Sequence, residues 1–207
     1  MDFEEVIEAM EREARKRNAP VFKYEDGDAF KTLVAAVLSS RTRDEVTSEA
    51  VRRLFDRVKS PRDLAEMSEE EIEELIRGVG FYRVKARKLK ELAKTLVEKY
   101  DSKVPEKFEE LIKLPGVGRK VANVVLSRMG KDVIAVDTHV HRIANRLGWV
   151  STRKPEETEE ELKKVVPKRL WRKLNEVFVG FGQTVCKPQK PICEECPVVN
   201  ACKRVGV

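Results

Sequence analysis

A heptapeptide, Leu114-Pro115-Gly116-Val117-Gly118-Arg119-Lys120, interrupts a stretch whose apolar residues otherwise recur with the period of an α-helix. Phe108, Leu111 and Ile112 before it, and Val121, Val124 and Val125 after it, fall at spacings that place apolar side chains on one helical face. A proline and two glycines between such segments read as a tight hairpin joining two helices. Glycine lets the backbone adopt positive φ and approach a ligand closely. The second helix then points its unpaired N–H groups and positive dipole end toward whatever sits there, and a phosphate suits that place. An ordinary helix–helix turn would also account for Gly-Val-Gly, so the rest of the chain has to decide between the two.

The remaining pattern is helical almost throughout, with no convincing alternating strand, which predicts an all-α protein. Phe3, Val6, Ile7 and Met10 give an amphipathic first helix that ends near Asn18-Ala19-Pro20. Asp28 can cap a second helix carrying Phe30, Leu33, Val34 and Val37. Thr42 with Glu45, and Ser68 with Glu71, have capping-box spacing ahead of two short apolar runs. Further helices are predicted over about 83–100, over 138–147, and as one stretch over about 156–181. Glu74-Leu75-Ile76-Arg77-Gly78-Val79-Gly80 echoes Glu110-Leu111-Ile112-Lys113 followed by Gly116-Val117-Gly118, which suggests a second loop facing the same ligand.

All four cysteines, Cys186, Cys193, Cys196 and Cys202, fall in the last twenty-two residues with spacing C-x6-C-x2-C-x5-C. They look like one ligand set. The chain starts without an apolar signal segment and has no apolar run long enough to span a bilayer, so a reducing cytosol and free thiols are expected. Structural zinc sites usually pair two short C-x2-C knuckles, whereas only Cys193 and Cys196 form one here. Four thiolates also suit a cubane [4Fe–4S] cluster, and Cys196-Pro197 fits the cysteine-proline ending of some cluster motifs. Spacing alone leaves both metals open. A net charge of +6 and a pI near 9.1 favour polyanionic partners. The 38% of charged residues, with only Gln183 and Gln189 as glutamines, suggests a heat-adapted source.

The hairpin, the lysine that closes it, Val136-Asp137-Thr138-His139 and the cysteine spacing together resemble the endonuclease III branch of the helix-hairpin-helix DNA glycosylases. The resemblance covers nearly the whole chain. It implies a two-lobed fold, with a six-helix barrel over residues 22–133 and an iron–sulfur cluster lobe formed by 1–21 and 134–207. It also implies a [4Fe–4S] cluster held by the four cysteines. A chain of this kind is expected to be a monomeric, cytoplasmic, nucleoid-associated base excision repair enzyme with no membrane partner. Its expected substrate is damaged double-stranded DNA, from which it would excise oxidised pyrimidines before cleaving the abasic site.

Lys120 and Asp137 are the expected catalytic pair. A neutral lysine amine can attack C1′ of a deoxyribose whose base is leaving, and the resulting Schiff base acidifies the C2′ proton, so that β-elimination follows. Asp137 would stabilise the cationic sugar or relay a proton; taken alone, it is simply the N-cap of the next helix. The expected DNA contacts are Gly116, Val117, Gly118 and Arg119 at the hairpin, and Ser39 and Arg41 in a segment where the family commonly has glutamine at the position of Arg41. Phe81 is expected as a wedge between bases, against a core-aromatic alternative. Lys187 and Lys190 would present charge from the cysteine loop. Arg83, Lys85, Arg87, Lys88 and Lys90 form a basic run that reads as a solvated helix face or a phosphate track. His139 and His141 read as hydrogen-bonding rather than metal-binding, and Trp149 and Trp171 as core. A mismatch-specific thymine glycosylase and a non-catalytic helix-hairpin-helix binding module are the competing functions. The latter would need neither Lys120, Asp137 nor the cysteines.

Overall fold

The computed structural model describes residues 1–23 and 28–207, and among them every regular element is helical. The chain divides into two compact units, one made of Met1–Glu25 and Gly130–Val207, the other of Asp26–Met129. The first junction falls at the stretch 24–27, outside the described residues.

The continuous unit contains α2 (Ala29–Leu38), α3 (Asp44–Arg57), α4 (Pro61–Glu66), α5 (Glu69–Leu75), α6 (Tyr82–Tyr100), α7 (Phe108–Leu111) and α8 (Arg119–Arg128). α2 packs on α3, α6 and α8, while α4 and α5 both lie on α6. Leu33, Leu54, Ile72, Leu89, Leu92 and Val125 are fully buried in this unit. Short-range chemistry sets many helix starts. Asp28 accepts from the N–H groups of Phe30 and Lys31, and Ser60 with Asp63, and Ser68 with Glu71, form reciprocal capping boxes. The capping box expected at Thr42 does not form. Arg43 is the N-cap of α3 and makes no side-chain cap. The Thr42 hydroxyl instead accepts from the Gly80 N–H at 3.1 Å, a partner brought in by tertiary folding. Ile112, expected on the apolar face with Leu111, is exposed, because α7 ends at Leu111 and the helical period stops there.

The discontinuous unit contains α1 (Phe3–Lys16), α9 (Thr138–Leu147), α10 (Pro155–Val165) and α11 (Trp171–Thr184). α11 packs against α1 and α9, and α9 also packs on α10. The core holds Ile7, Met10, Val140, Ile143, Leu174 and Phe178. The single helix expected over about 156–181 is broken into α10, a 3₁₀ turn at Lys168–Leu170, and α11. Pro167 stands at the break, where it can neither donate to the preceding turn nor tolerate a helical residue before it. Trp149 and Trp171 are half-buried at the margin of the core rather than inside it. Trp149 packs edge-on against Phe3, with ring centroids 4.6 Å apart, and Trp171 Nε1 donates to the Val166 carbonyl at 2.9 Å. A small polar network also forms in this unit: His141 Nδ1 lies 2.6 Å from Thr158 Oγ1, which in turn pairs with Thr152.

Candidate functional site

In the continuous unit the Gly-rich turn begins where Leu114 follows α7. Gly116 has φ +80°, a left-handed conformation that suits glycine, and the Val117 N–H closes the turn on the Leu114 carbonyl. Gly118 is the N-cap of α8, with no side chain to satisfy the first N–H groups of that helix. A Cβ built on Gly118 would meet nothing within 4 Å, so the space over this helix start is open within the protein. Gly118→Ala is therefore expected to change thermal stability by less than about 1 kcal/mol while weakening DNA affinity, by crowding the approach to those N–H groups. Calorimetry and a binding titration on one preparation would check this, and an unchanged Kd would argue against phosphate contact here.

Lys120 lies in the first turn of α8 and is half-buried. Its Nζ donates to Ser39 Oγ at 3.2 Å, and Ser39 Oγ in turn donates to the Ala36 carbonyl at 2.9 Å. Ser39 is the C-cap of α2, and just past it Arg41 and Phe81 approach each other. The Arg41 guanidinium lies 5.6 Å from the centre of the Phe81 ring. Phe81 is 62% exposed, so the core-aromatic alternative does not hold. The turn before Phe81 is pinned from α3, where Arg53 donates to the Leu75 and Arg77 carbonyls at 2.8 and 2.9 Å. The echo between the two glycine turns is also structural, since Gly78, like Gly116, has positive φ.

Lys85 departs from the basic run to which its sequence assigned it. Arg83, Arg87 and Lys88 are exposed, whereas Lys85 is 5% exposed and its Nζ donates to the carbonyls of Leu38 and Ser40 and to Thr42 Oγ1. Burial pushes its ammonium down to about 8.

In the discontinuous unit Asp137 is the N-cap of α9. The N–H groups of His139 and Val140 both donate to Oδ1 at 2.9 Å, so capping occupies one carboxylate oxygen. The same helix reaches the cysteine loop. Arg142 donates to the Cys186 carbonyl at 2.9 Å, and Arg146, nearly buried, donates to the Lys187 and Pro188 carbonyls at 2.7 and 2.6 Å and to Cys186 Sγ at 3.4 Å. Desolvation by burial lowers the pKa of Arg142. A Cβ on Gly182 would stand 2.4 Å from His139 Nδ1 and 2.8 Å from the Arg142 guanidinium, so α11 gives these side chains room by lacking one.

Cys186, Cys193, Cys196 and Cys202 are free thiols around one pocket of about 420 Å³, counting the open solvent at its mouth, with Ile143 and Phe181 behind. Burial pushes the Cys196 and Cys202 thiols up, and the other cysteines push in the same direction. Such a set is poorly placed to carry several thiolates unless a cation lies among them. Among the described residues no three His, Cys, Asp or Glu side chains are grouped to hold a single metal ion. Lys187 and Lys190 are exposed on the same loop. No motif of the sequence singles out Arg53, Arg142 or Arg146. Their partners are backbone carbonyls distant in sequence, for which no local pattern exists. Among the described residues no helix is long and apolar enough to cross a membrane.

Comparison with known proteins extends the picture. The profile described as HhH-GPD superfamily base excision DNA repair protein matches residues 34–168. The chain is 50% identical over 199 residues to endonuclease III of Thermotoga maritima, covering 96% of this chain and 92% of that one. It also superposes on a non-covalent endonuclease III–DNA complex with TM-score 0.79 and 41% identity, covering 86% of this chain and 84% of that one. A trapped endonuclease III–DNA covalent intermediate gives TM-score 0.78 and 37% identity, covering 92% and 95%. An all-helical chain with a glycine hairpin closed by a lysine, so similar over nearly its full length to these proteins, belongs to the endonuclease III branch of the HhH-GPD superfamily of base excision DNA repair proteins.

Proposed function

We infer that this protein is a bifunctional DNA glycosylase and abasic-site lyase that excises oxidised pyrimidines from duplex DNA and cleaves the resulting site by β-elimination. The observation that carries the reading is Lys120. It stands in the first turn of α8 after the glycine turn, hydrogen-bonded to the Ser39 hydroxyl, in a family with a solved trapped covalent intermediate on DNA. The neutral amine attacks C1′ while the base departs with a proton, giving an amine adduct that opens to a Schiff base. Removal of the C2′ proton then sends its electron pair toward the iminium and expels the 3′ phosphate. The Asp137 carboxylate, with Oδ1 committed to the cap, lends its negative charge to the cationic sugar.

Around this chemistry, Gly116, Val117, Gly118 and Arg119 receive a phosphate, and Arg41 and Phe81 fill the space of the extruded nucleotide. The unit of Asp26–Met129 acts as the barrel lobe and the other as the cluster lobe. Cys186, Cys193, Cys196 and Cys202 hold a [4Fe–4S] cluster. Four thiols spread around a pocket suit a body several ångströms across better than one zinc ion, which would draw every sulfur to about 2.3 Å of a point. When bound, the cluster supplies charge neutralisation and a rigid loop that presents Lys187 and Lys190 to the backbone of the duplex. The protein acts on genomic DNA in the cytoplasm of a prokaryote.

The test is incubation with duplex DNA containing thymine glycol or a preformed abasic site. Free base and a β-elimination product are both expected. Base release without strand cleavage would point instead to a monofunctional mismatch glycosylase, and binding with neither would point to a binding module.

A further inference from the structure

Arg41 and Phe81 share an unusual backbone state. Both are non-glycine residues with positive φ, +51° and +57°. Such conformations cost on the order of 1 kcal/mol or more each and persist only where the surroundings dictate them. What dictates them is a junction between residues 38–42 and the turn that leads into α6. A Cβ on Gly80 would stand 2.4 Å from the Arg41 carbonyl oxygen, so the two segments touch through bare backbone. The Gly80 N–H donates to Thr42 Oγ1, and the same hydroxyl accepts from Lys85 Nζ at 3.1 Å. Lys85 also donates to the carbonyls of Leu38 and Ser40, at 2.8 and 2.5 Å. An ammonium has three hydrogens, and here three oxygens receive them. A buried cation is costly to keep, and an apolar side chain of similar length would fill the same volume at less cost.

We propose that Lys85 is a positioning residue that locks the 38–42 segment onto the Gly80–Phe81 turn, so that Arg41 and Phe81 meet the duplex as a single wedge. This rests on the reading of the protein as a base-extruding glycosylase. The lock bears on the wedge rather than on the nucleophile, because Ser39, the partner of Lys120, has its own anchor on the Ala36 carbonyl.

The experiment compares wild type, Lys85→Met and Thr42→Val on two substrates. Thymine glycol in duplex DNA requires extrusion of a nucleotide; an abasic site in a single strand does not. Thr42→Val is the milder change, since it removes only the hydroxyl shared by the two segments, and it decides the matter if Lys85→Met fails to fold. A wedge displaced by about 1 Å predicts a roughly 10- to 100-fold loss of kcat/KM on the duplex lesion and less than about a threefold loss on the single strand. The Lys85→Met and Phe81→Ala losses should also combine to less than their sum in free energy. An equal loss on both substrates, no loss on the duplex, or full additivity with Phe81→Ala would overturn the proposal while leaving the glycosylase reading intact. A wild type inert on both substrates would overturn the reading and the proposal with it.

Discussion

Replacing Lys120 with alanine is expected to abolish the covalent complex that borohydride traps on duplex DNA, with thymine glycol and with a preformed abasic site alike. Strand cleavage should fall by roughly 10³-fold or more, the scale typical of losing a covalent nucleophile. The fold should tolerate the change. Lys120 is half-buried at the start of a helix, and its hydrogen bond goes to a hydroxyl that is also anchored to α2, so the stability cost is about 1 kcal/mol or less. DNA affinity should also survive within about tenfold, because the hairpin N–H groups and the remaining basic side chains are untouched. Persistent trapping in the variant would assign the Schiff base to another amine. Loss of trapping together with loss of binding would leave the nucleophile unidentified, so affinity must be measured on the same sample.

The second large effect is expected at the cysteine pocket, where Cys193→Ala should remove the visible absorption of an iron–sulfur cluster and loosen the terminal loop. Duplex affinity should drop by roughly 10- to 100-fold before chemistry on the bound complex changes, since ligand binding and local folding are coupled in such sites. The loop would not detach entirely, because Arg146 still grips the Lys187 and Pro188 carbonyls. What should be lost is the fixed presentation of Lys187 and Lys190, which would also make the salt dependence of binding shallower. A purified variant with full DNA affinity would contradict this account. Zinc in place of iron in the wild type would overturn the assignment of the cluster.

The parts of the fold legible in the sequence are those set by neighbours. Asp28, Ser68 and the glycine turn announce themselves because each acts within four residues, and the apolar spacing of α1 and α9 repeats over several turns. The failures share the opposite cause. Thr42 has the local spacing of a capping box, but its hydroxyl is taken by Gly80, thirty-eight residues away. Lys85 sits in a run of cations of which Arg83, Arg87 and Lys88 face water, and nothing near it in sequence reveals that Leu38 and Ser40 will offer it carbonyls. Arg142 and Arg146 look like solvated helix residues until the cysteine loop folds over them. The break at Pro167 has a local cause, since proline rarely sits inside a helix, but the apolar period on either side of it conceals the interruption. Phe81 marks a further limit, because an aromatic after a glycine turn has the same sequence whether it faces inward or outward.

The two tryptophans give the molecule a built-in optical asymmetry. Trp149, wedged between Phe3 and Phe178, and Trp171, tied to the Val166 carbonyl, both belong to the unit that carries the cysteines, and the Asp26–Met129 unit has no indole. Emission excited selectively at indole will follow the melting of the cysteine-bearing unit and stay nearly silent when the other unit unfolds. Circular dichroism, to which the helices of both units contribute, will register each. A difference between the two melting curves would reveal whether the units unfold together or in sequence, without any label.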